Sequence, residues 1–156
     1  SVDYNFKLVL TANLLAKWIE KDCMIAQITK EWHLELGDEF ESRAENNQRI
    51  FWKPGITVAA IVFSLPQGAD KLTLLNQIHE KMPNNVLETL VSTKGEVVGL
   101  GYTQVLKESK NKTRLSLTAF IVSDTSCLQI GFYLDDPDDL PWAKSVWESI
   151  RYVPTQ

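Results

Sequence analysis

Residues 86–133 read VLETLVSTKGEVVGLGYTQVLKESKNKTRLSLTAFIVSDTSCLQIGFY, and this stretch decides the fold. Four runs with strand composition occupy 86–93, 97–106, 114–122 and 127–133. The polar pairs between them are turn signals: Lys94-Gly95, Lys110-Asn111 and Ser123-Asp124. Links this short join only antiparallel neighbours, because a parallel pair needs a crossover of about a dozen residues. The stretch therefore predicts a four-stranded antiparallel meander.

The sequence before the meander predicts further strands and two helices. Alternating or β-branched runs indicate strands at 2–8, 23–28, 32–36, 40–44, 50–52 and 57–63. The last of these is apolar on both faces, which favours a central position in the sheet. Apolar stripes at helical spacing predict helices at 11–21 and 68–82, the second with Asp70 as its N-cap.

A final amphipathic helix is predicted after the meander. Asp138 or Asp139 is expected to cap it, Pro141 fits its first turn, and its apolar stripe ends at Ile150. We therefore expect a single α+β domain over residues 1–156. Its predicted fold is an antiparallel β-sheet with about three helices, mostly packed on one face.

Composition limits the function classes. Sixteen basic and 20 acidic residues give a net charge of −4, which argues against a protein that coats nucleic acid. No apolar run approaches the roughly 18 residues of a membrane helix. The first residues do not form a signal peptide, so we expect a cytoplasmic protein, or a periplasmic one if a signal peptide was removed.

No catalytic or metal-binding motif is present in the sequence. The two histidines, His33 and His79, have no second histidine at ligand spacing, and HExxH, CxxC and GxSxG motifs are absent. Cys23 and Cys127 are interpreted as two half-buried apolar residues, with one bridge between strands as the alternative. We therefore expect no enzyme, no metal and no cofactor.

The sharpest charge cluster surrounds Pro137. It consists of Asp135, Asp136, Asp138 and Asp139, and its spacing does not fit a calcium loop. One interpretation is a solvated turn whose last aspartates cap the final helix. The other is a contact surface for a cationic partner.

A second acidic stretch runs through residues 31–45, and only Arg43 opposes it. Its candidate contact residues are Glu35, Asp38, Glu39 and Glu41. Here too, a solvated strand face is the alternative. Trp142 follows the first cluster on the opposite helix face from Trp147, so it is either an exposed binding residue or packs at an edge.

The second half of the chain also resembles a known group of proteins. A strand ending at Gly101-Tyr102, the strands RLSLTAFIV and LQIGFY, an acidic turn, and a helix ending VWESI follow in this order. That order resembles the small bacterial proteins of PsbP-like and DcrB-like fold, over about residues 32–153. The resemblance implies a periplasmic or lipid-anchored accessory protein, or an immunity protein that neutralises a secreted toxin.

The leading hypothesis is a non-enzymatic bacterial immunity protein that blocks its cognate toxin by stoichiometric binding. Its expected partner is a protein, a cationic toxin domain, with no nucleic acid and no membrane span. The first alternative is the accessory protein of PsbP-like fold. The second is a small-ligand-binding domain, or an enzyme with an unfamiliar carboxylate site, which predicts a deep pocket with buried ionisable groups.

Overall fold

The computed structural model describes residues 24–37, 40–45 and 47–155 of the 156-residue chain. The elements follow in chain order: β1 (Met24–Gln27), β2 (Trp32–Gly37), β3 (Glu41–Glu45), β4 (Gln48–Lys53), β5 (Ile56–Ser64), α1 (Lys71–Glu80), β6 (Glu88–Lys94), β7 (Val97–Ser109), β8 (Lys112–Val122), β9 (Ser126–Leu134), a 3-10 turn (Pro137–Asp139), α2 (Leu140–Ser149) and β10 (Arg151–Tyr152).

The strands of the described residues form two antiparallel sheets. The larger has seven strands in the order β3-β4-β5-β9-β8-β7-β6, and the smaller has the order β1-β2-β10. The meander β6–β9 is confirmed, with the predicted tight turns between neighbours. Strand β5 lies inside the large sheet between β4 and β9, which agrees with the central position predicted for it.

The main core lies on one side of the large sheet, which we call the core face. Strands β8 and β9 present Leu117 and Phe132 on this side, and both side chains are fully buried. The small sheet covers this face with Trp32, whose indole N–H donates to the Ser126 hydroxyl at 2.9 Å. Helix α2 adds Val146 to the same cluster. Sheet, small sheet and α2 thus share one apolar interior.

The opposite side, which we call the outer face, carries a smaller buried group. Leu100, Val122 and Cys127 are buried but lie outside the main core cluster. Because side chains alternate along a strand, they point away from the core face. Helix α1 contacts β7 and β8 and covers this side, with Leu74 and Ile78 half-buried.

Strand order explains why α1 lies there. Four antiparallel steps separate β5 from β6, so these two strands run parallel and need a crossover. That crossover contains α1 and passes over the outer face. Asp70 caps the helix as predicted, since its carboxylate accepts the Thr73 backbone N–H at 3.1 Å.

The expectation of about three helices, mostly on one face, is wrong for the described residues. They contain two α-helices and one 3-10 turn, and the α-helices pack on opposite faces of a mainly antiparallel β structure. Helical periodicity identifies an apolar stripe, but it carries no information on which sheet face the chain crosses. The strand predicted at 2–8, the helix predicted at 11–21 and Cys23 lie outside the described residues.

Candidate functional site

The acidic turn, which we define as Asp135 to Asp139, follows β9 directly. The carboxylate of Asp136 accepts the backbone N–H of Asp138 at 2.9 Å and caps the 3-10 turn. Asp139 occupies the N-cap position of α2, but its side chain makes no capping hydrogen bond. Asp139 thus takes the predicted N-cap position, without a side-chain hydrogen bond to the helix. The intervening 3-10 turn moves the capping role upstream to Asp136.

Arg114 on β8 holds the first residue of this turn in place. Its Nε lies 2.9 Å from Asp135 Oδ1, an ion pair too bent to count as a hydrogen bond. Its Nη1 donates to Glu108 at 3.3 Å, and its Nη2 donates to the Tyr133 carbonyl at 3.3 Å and to Thr57 Oγ1 at 3.5 Å. The Arg114 side chain is only 16% exposed. A low-exposure guanidinium with this many acceptors fixes the turn against the sheet.

Trp142, two residues into α2, joins the turn to the second acidic segment. Its ring stacks on Phe40 with centroids 5.6 Å apart, and it meets Phe132 edge-on at 6.1 Å. Its indole N–H donates to the Leu36 carbonyl at 3.2 Å. The structure thus shows the edge-packing alternative. Trp142 is half-buried and packs from α2 against Phe40, which lies after β2, and against Phe132 on the core face.

The two acidic segments meet at the end of the large sheet where β9 ends and β4 turns into β5. Glu41 pairs with Trp52 across β3 and β4, and it follows Phe40 directly in the chain. The backbone N–H of Asp135 donates to the carbonyl of Gly55 at 2.9 Å, in the turn that joins β4 to β5. The Phe40–Trp142 stack makes a second link between the segments. Their convergence depends on contacts between residues about 100 positions apart, which the sequence did not reveal.

Glu35 does not join this cluster. Its backbone N–H donates to Ser149 Oγ at 3.0 Å, at the other end of α2. Its side chain points away from the buried residues of β2 and is half-exposed. Asp38 and Glu39 lie outside the described residues. The structure therefore places Glu41 and the four aspartates of the predicted contact set at the same end of the large sheet, with Glu41 on β3 and the aspartates after β9.

Two grooves lie at this end of the sheet, the first beside the acidic turn and the second beside Glu41. The first, of about 520 Å³, lies between the turn and the strands β6, β7 and β8. It includes Glu88, which accepts the Lys144 ammonium at 2.8 Å, and the Arg114–Asp135 pair. The second, of about 580 Å³, is lined by residues around Trp52 and Phe40. The Lys53 ammonium lies 4.9 Å from the Phe40 ring centroid there.

Among the described residues, no hydrogen bond joins the thiol of Cys127 to His33 or His79. Burial raises the pKa of Cys127 to about 11, which keeps the thiol protonated and unreactive near neutral pH. His33 Nε2 lies 3.1 Å from the Lys30 carbonyl, and His79 lies in the exposed last turn of α1. Within residues 24–37, 40–45 and 47–155, no three or more His, Cys, Asp and Glu residues are grouped to hold a metal ion.

The sequence missed the roles of Arg114 and Phe40. Arg114 stands at the first position of the strand predicted at 114–122, and the local sequence does not indicate its pairing with Asp135. Phe40 stands between two acidic residues, so no apolar pattern in the sequence predicts that its side chain is buried, with 8% exposed. No helix in the described part of the chain combines the length and the apolar character that crossing a bilayer requires.

Comparisons with known proteins identify a fold and no family. No protein-family model matches the chain, and no curated protein matches it. A crystal structure of a protein from Bacteroides thetaiotaomicron VPI-5482 is similar, with a TM-score of 0.65 and 8% sequence identity. The alignment covers 86% of this chain and 49% of that one, so the chain spans about half the length of this structural relative. At this identity the similarity shows the fold alone, and the resemblance to PsbP-like and DcrB-like proteins stays a prediction.

Proposed function

We propose that the chain is a non-enzymatic binding protein, and specifically an immunity protein that blocks a cationic toxin domain stoichiometrically. One observation carries the proposal: Glu41 and the acidic turn, distant in sequence, are built into one end of the sheet. The Phe40–Trp142 stack and the Arg114 ion pair hold that end rigidly. A preorganised acidic surface speeds association with a basic partner and loses little entropy on binding.

The charges of this surface suit such a partner. Asp136 and Asp138 are exposed, and within the described residues neither forms an ion pair with a basic side chain. If the toxin is a nuclease, its own substrate surface is basic and matches these carboxylates. The same role would place the chain where the toxin acts, in the cytoplasm or, after export, in the periplasm.

Co-expression with the product of the adjacent reading frame tests the proposal. The wild-type chain should restore growth to cells that express this toxin. The triple variant Glu41→Gln, Asp136→Asn, Asp138→Asn should reduce the association rate by about tenfold at low salt, with a smaller reduction at high salt. Glu80→Gln with Glu96→Gln and Glu148→Gln removes three exposed carboxylates elsewhere and serves as the matched control.

Two results would reject the proposal. In the first, the cells die despite abundant wild-type chain and no complex forms. In the second, a complex forms but the triple variant associates and protects as the wild type does, which excludes the acidic end as the contact surface. A small-ligand-binding domain is the second candidate, because the two grooves at this end of the sheet have the volume of ligand pockets.

A further inference from the structure

The first groove has an apolar lining that remains open to solvent. Leu87, directly before β6, and Val105 on β7 line it and are 65% and 46% exposed. Pro137 and Leu140 form the opposite wall, and Leu115 lies on β8 between the walls. Its volume of about 520 Å³ is within the range of sites that enclose a ligand or a few side chains. Exposed aliphatic side chains around a concavity are typical of interaction sites.

The charged groups inside the groove are already paired. Asp135 and Glu108 neutralise Arg114, and Lys144 neutralises Glu88. An isolated anion would therefore compete with two carboxylates for the guanidinium, and a metal ion would compete with the ammonium of Lys144. These pairs make the groove a poor site for a small ion.

Free charge lies at the two ends of the groove and differs in sign. Asp136 and Asp138 flank Pro137 on one wall and form no ion pair within the described residues. Lys107 lies two residues beyond Val105 on the same face of β7, and it forms no ion pair in that part of the chain either. A cationic group is attracted to the wall with the aspartates and repelled near Lys107.

We propose that this groove binds a large apolar side chain of the partner protein, and that a lysine or arginine next to it faces Asp136 and Asp138. The inference rests on the proposed function and names the part of the partner that the acidic end recognises. An apolar centre with a charged, solvated rim is the usual arrangement of an energetic hot spot. Asp136 and Asp138 attract the partner's basic residue and speed association, and the apolar contact in the groove stabilises the complex.

Short peptides probe the groove without the unidentified partner. Amide NMR spectra of the full chain are recorded during titration with Gly-Lys-Trp-Lys-Gly. Matched probes are Gly-Lys-Ser-Lys-Gly, Gly-Glu-Trp-Glu-Gly and N-acetyltryptophanamide. We expect saturable shifts near Leu87, Val105 and Leu140 with the first peptide, and at least fivefold weaker binding of the other three probes.

Variants of exposed residues locate the site. Val105→Ser and Leu87→Ser should each weaken the binding of Gly-Lys-Trp-Lys-Gly by about fivefold. Val91→Ser is the matched control, because Val91 is an exposed strand valine, 75% accessible, that does not line the groove. Asp136→Asn with Asp138→Asn should remove the preference for the lysine peptide over the glutamate peptide.

The inference is wrong if the first peptide does not bind at millimolar concentration, or if the shifts lie elsewhere. Equal binding of the serine peptide would show a purely electrostatic contact. Equal binding of N-acetyltryptophanamide would show a small-molecule site, which also overturns the inference. The co-expression experiment is independent, since a chain that protects cells but fails these titrations retains the proposed function and loses only this binding mode.

Discussion

Trp142→Ala should destabilise the protein by about 3 kcal/mol, because this side chain packs on Phe40 and bonds to Leu36, about 100 residues earlier in the chain. Truncation of a fully buried tryptophan costs about 3–5 kcal/mol, so a half-buried one should cost about 2 kcal/mol. Loss of the hydrogen bond from its indole N–H to the Leu36 carbonyl adds about 1 kcal/mol. Trp142→Phe keeps an aromatic ring and removes only that bond, so we expect a loss of about 1 kcal/mol.

Urea unfolding followed by far-UV circular dichroism measures these losses without interference from the other tryptophans. For a domain of this size, 3 kcal/mol corresponds to a fall in Tm of about 6–12 °C. A double-mutant cycle with Phe40→Ala isolates the stack, for which we expect a coupling energy of about 1 kcal/mol. The reasoning would be refuted by a loss of stability below about 0.5 kcal/mol for Trp142→Ala. It would also be refuted if the losses of the two single variants add up to that of the double variant.

Three further predictions concern the sheet and α1. Because burial raises the pKa of Cys127 from 9.0 to about 11, the unfolded chain releases this proton first; stability should fall between about pH 9 and pH 11, and Cys127→Ala should lessen that fall in urea titrations. The hydrogen bonds from Thr73 lower the pKa of Asp70, so its stabilisation is present above the ordinary carboxyl pKa and is lost as pH falls through the lowered value. The stability difference between wild type and Asp70→Ala should therefore shrink in acid, and a constant difference would contradict the cap. Gly131→Ala should cost about 1 kcal/mol, because the new Cβ would lie 2.9 Å from the Tyr133 hydroxyl; Tyr133→Leu should relieve this cost, and an unchanged cost in the double variant would exclude the clash.

Local patterns in the sequence were sufficient for the strands of the meander and for α1. Alternation and turn chemistry are properties of neighbouring residues, so the tight hairpins β6–β7, β7–β8 and β8–β9 could be read directly. The Asp70 cap depends on a residue only three positions away. Features that arise within a few residues leave a signal that needs no tertiary context.

Long-range contacts left no comparable signal. Strand β10 has only two residues, and its identity as a strand comes from pairing with β2. Helical periodicity placed Trp142 on the opposite face from Trp147, but it could not show that Phe40 packs there. For the same reason the acidic residues could be named individually, whereas their meeting at one end of the sheet could not be derived.

The pairing of β5 with β9 has a consequence for synthesis on the ribosome. Ser64 pairs with Ser126, about 62 residues later, so β5 is translated long before its partner exists. At about 5–20 residues per second, that interval lasts roughly 3–12 s. During it, the apolar run ITVAAIVFS has an open edge toward the missing strand. A nascent chain in this state is a natural client for a ribosome-associated chaperone, and slower translation of the meander would increase its risk of aggregation.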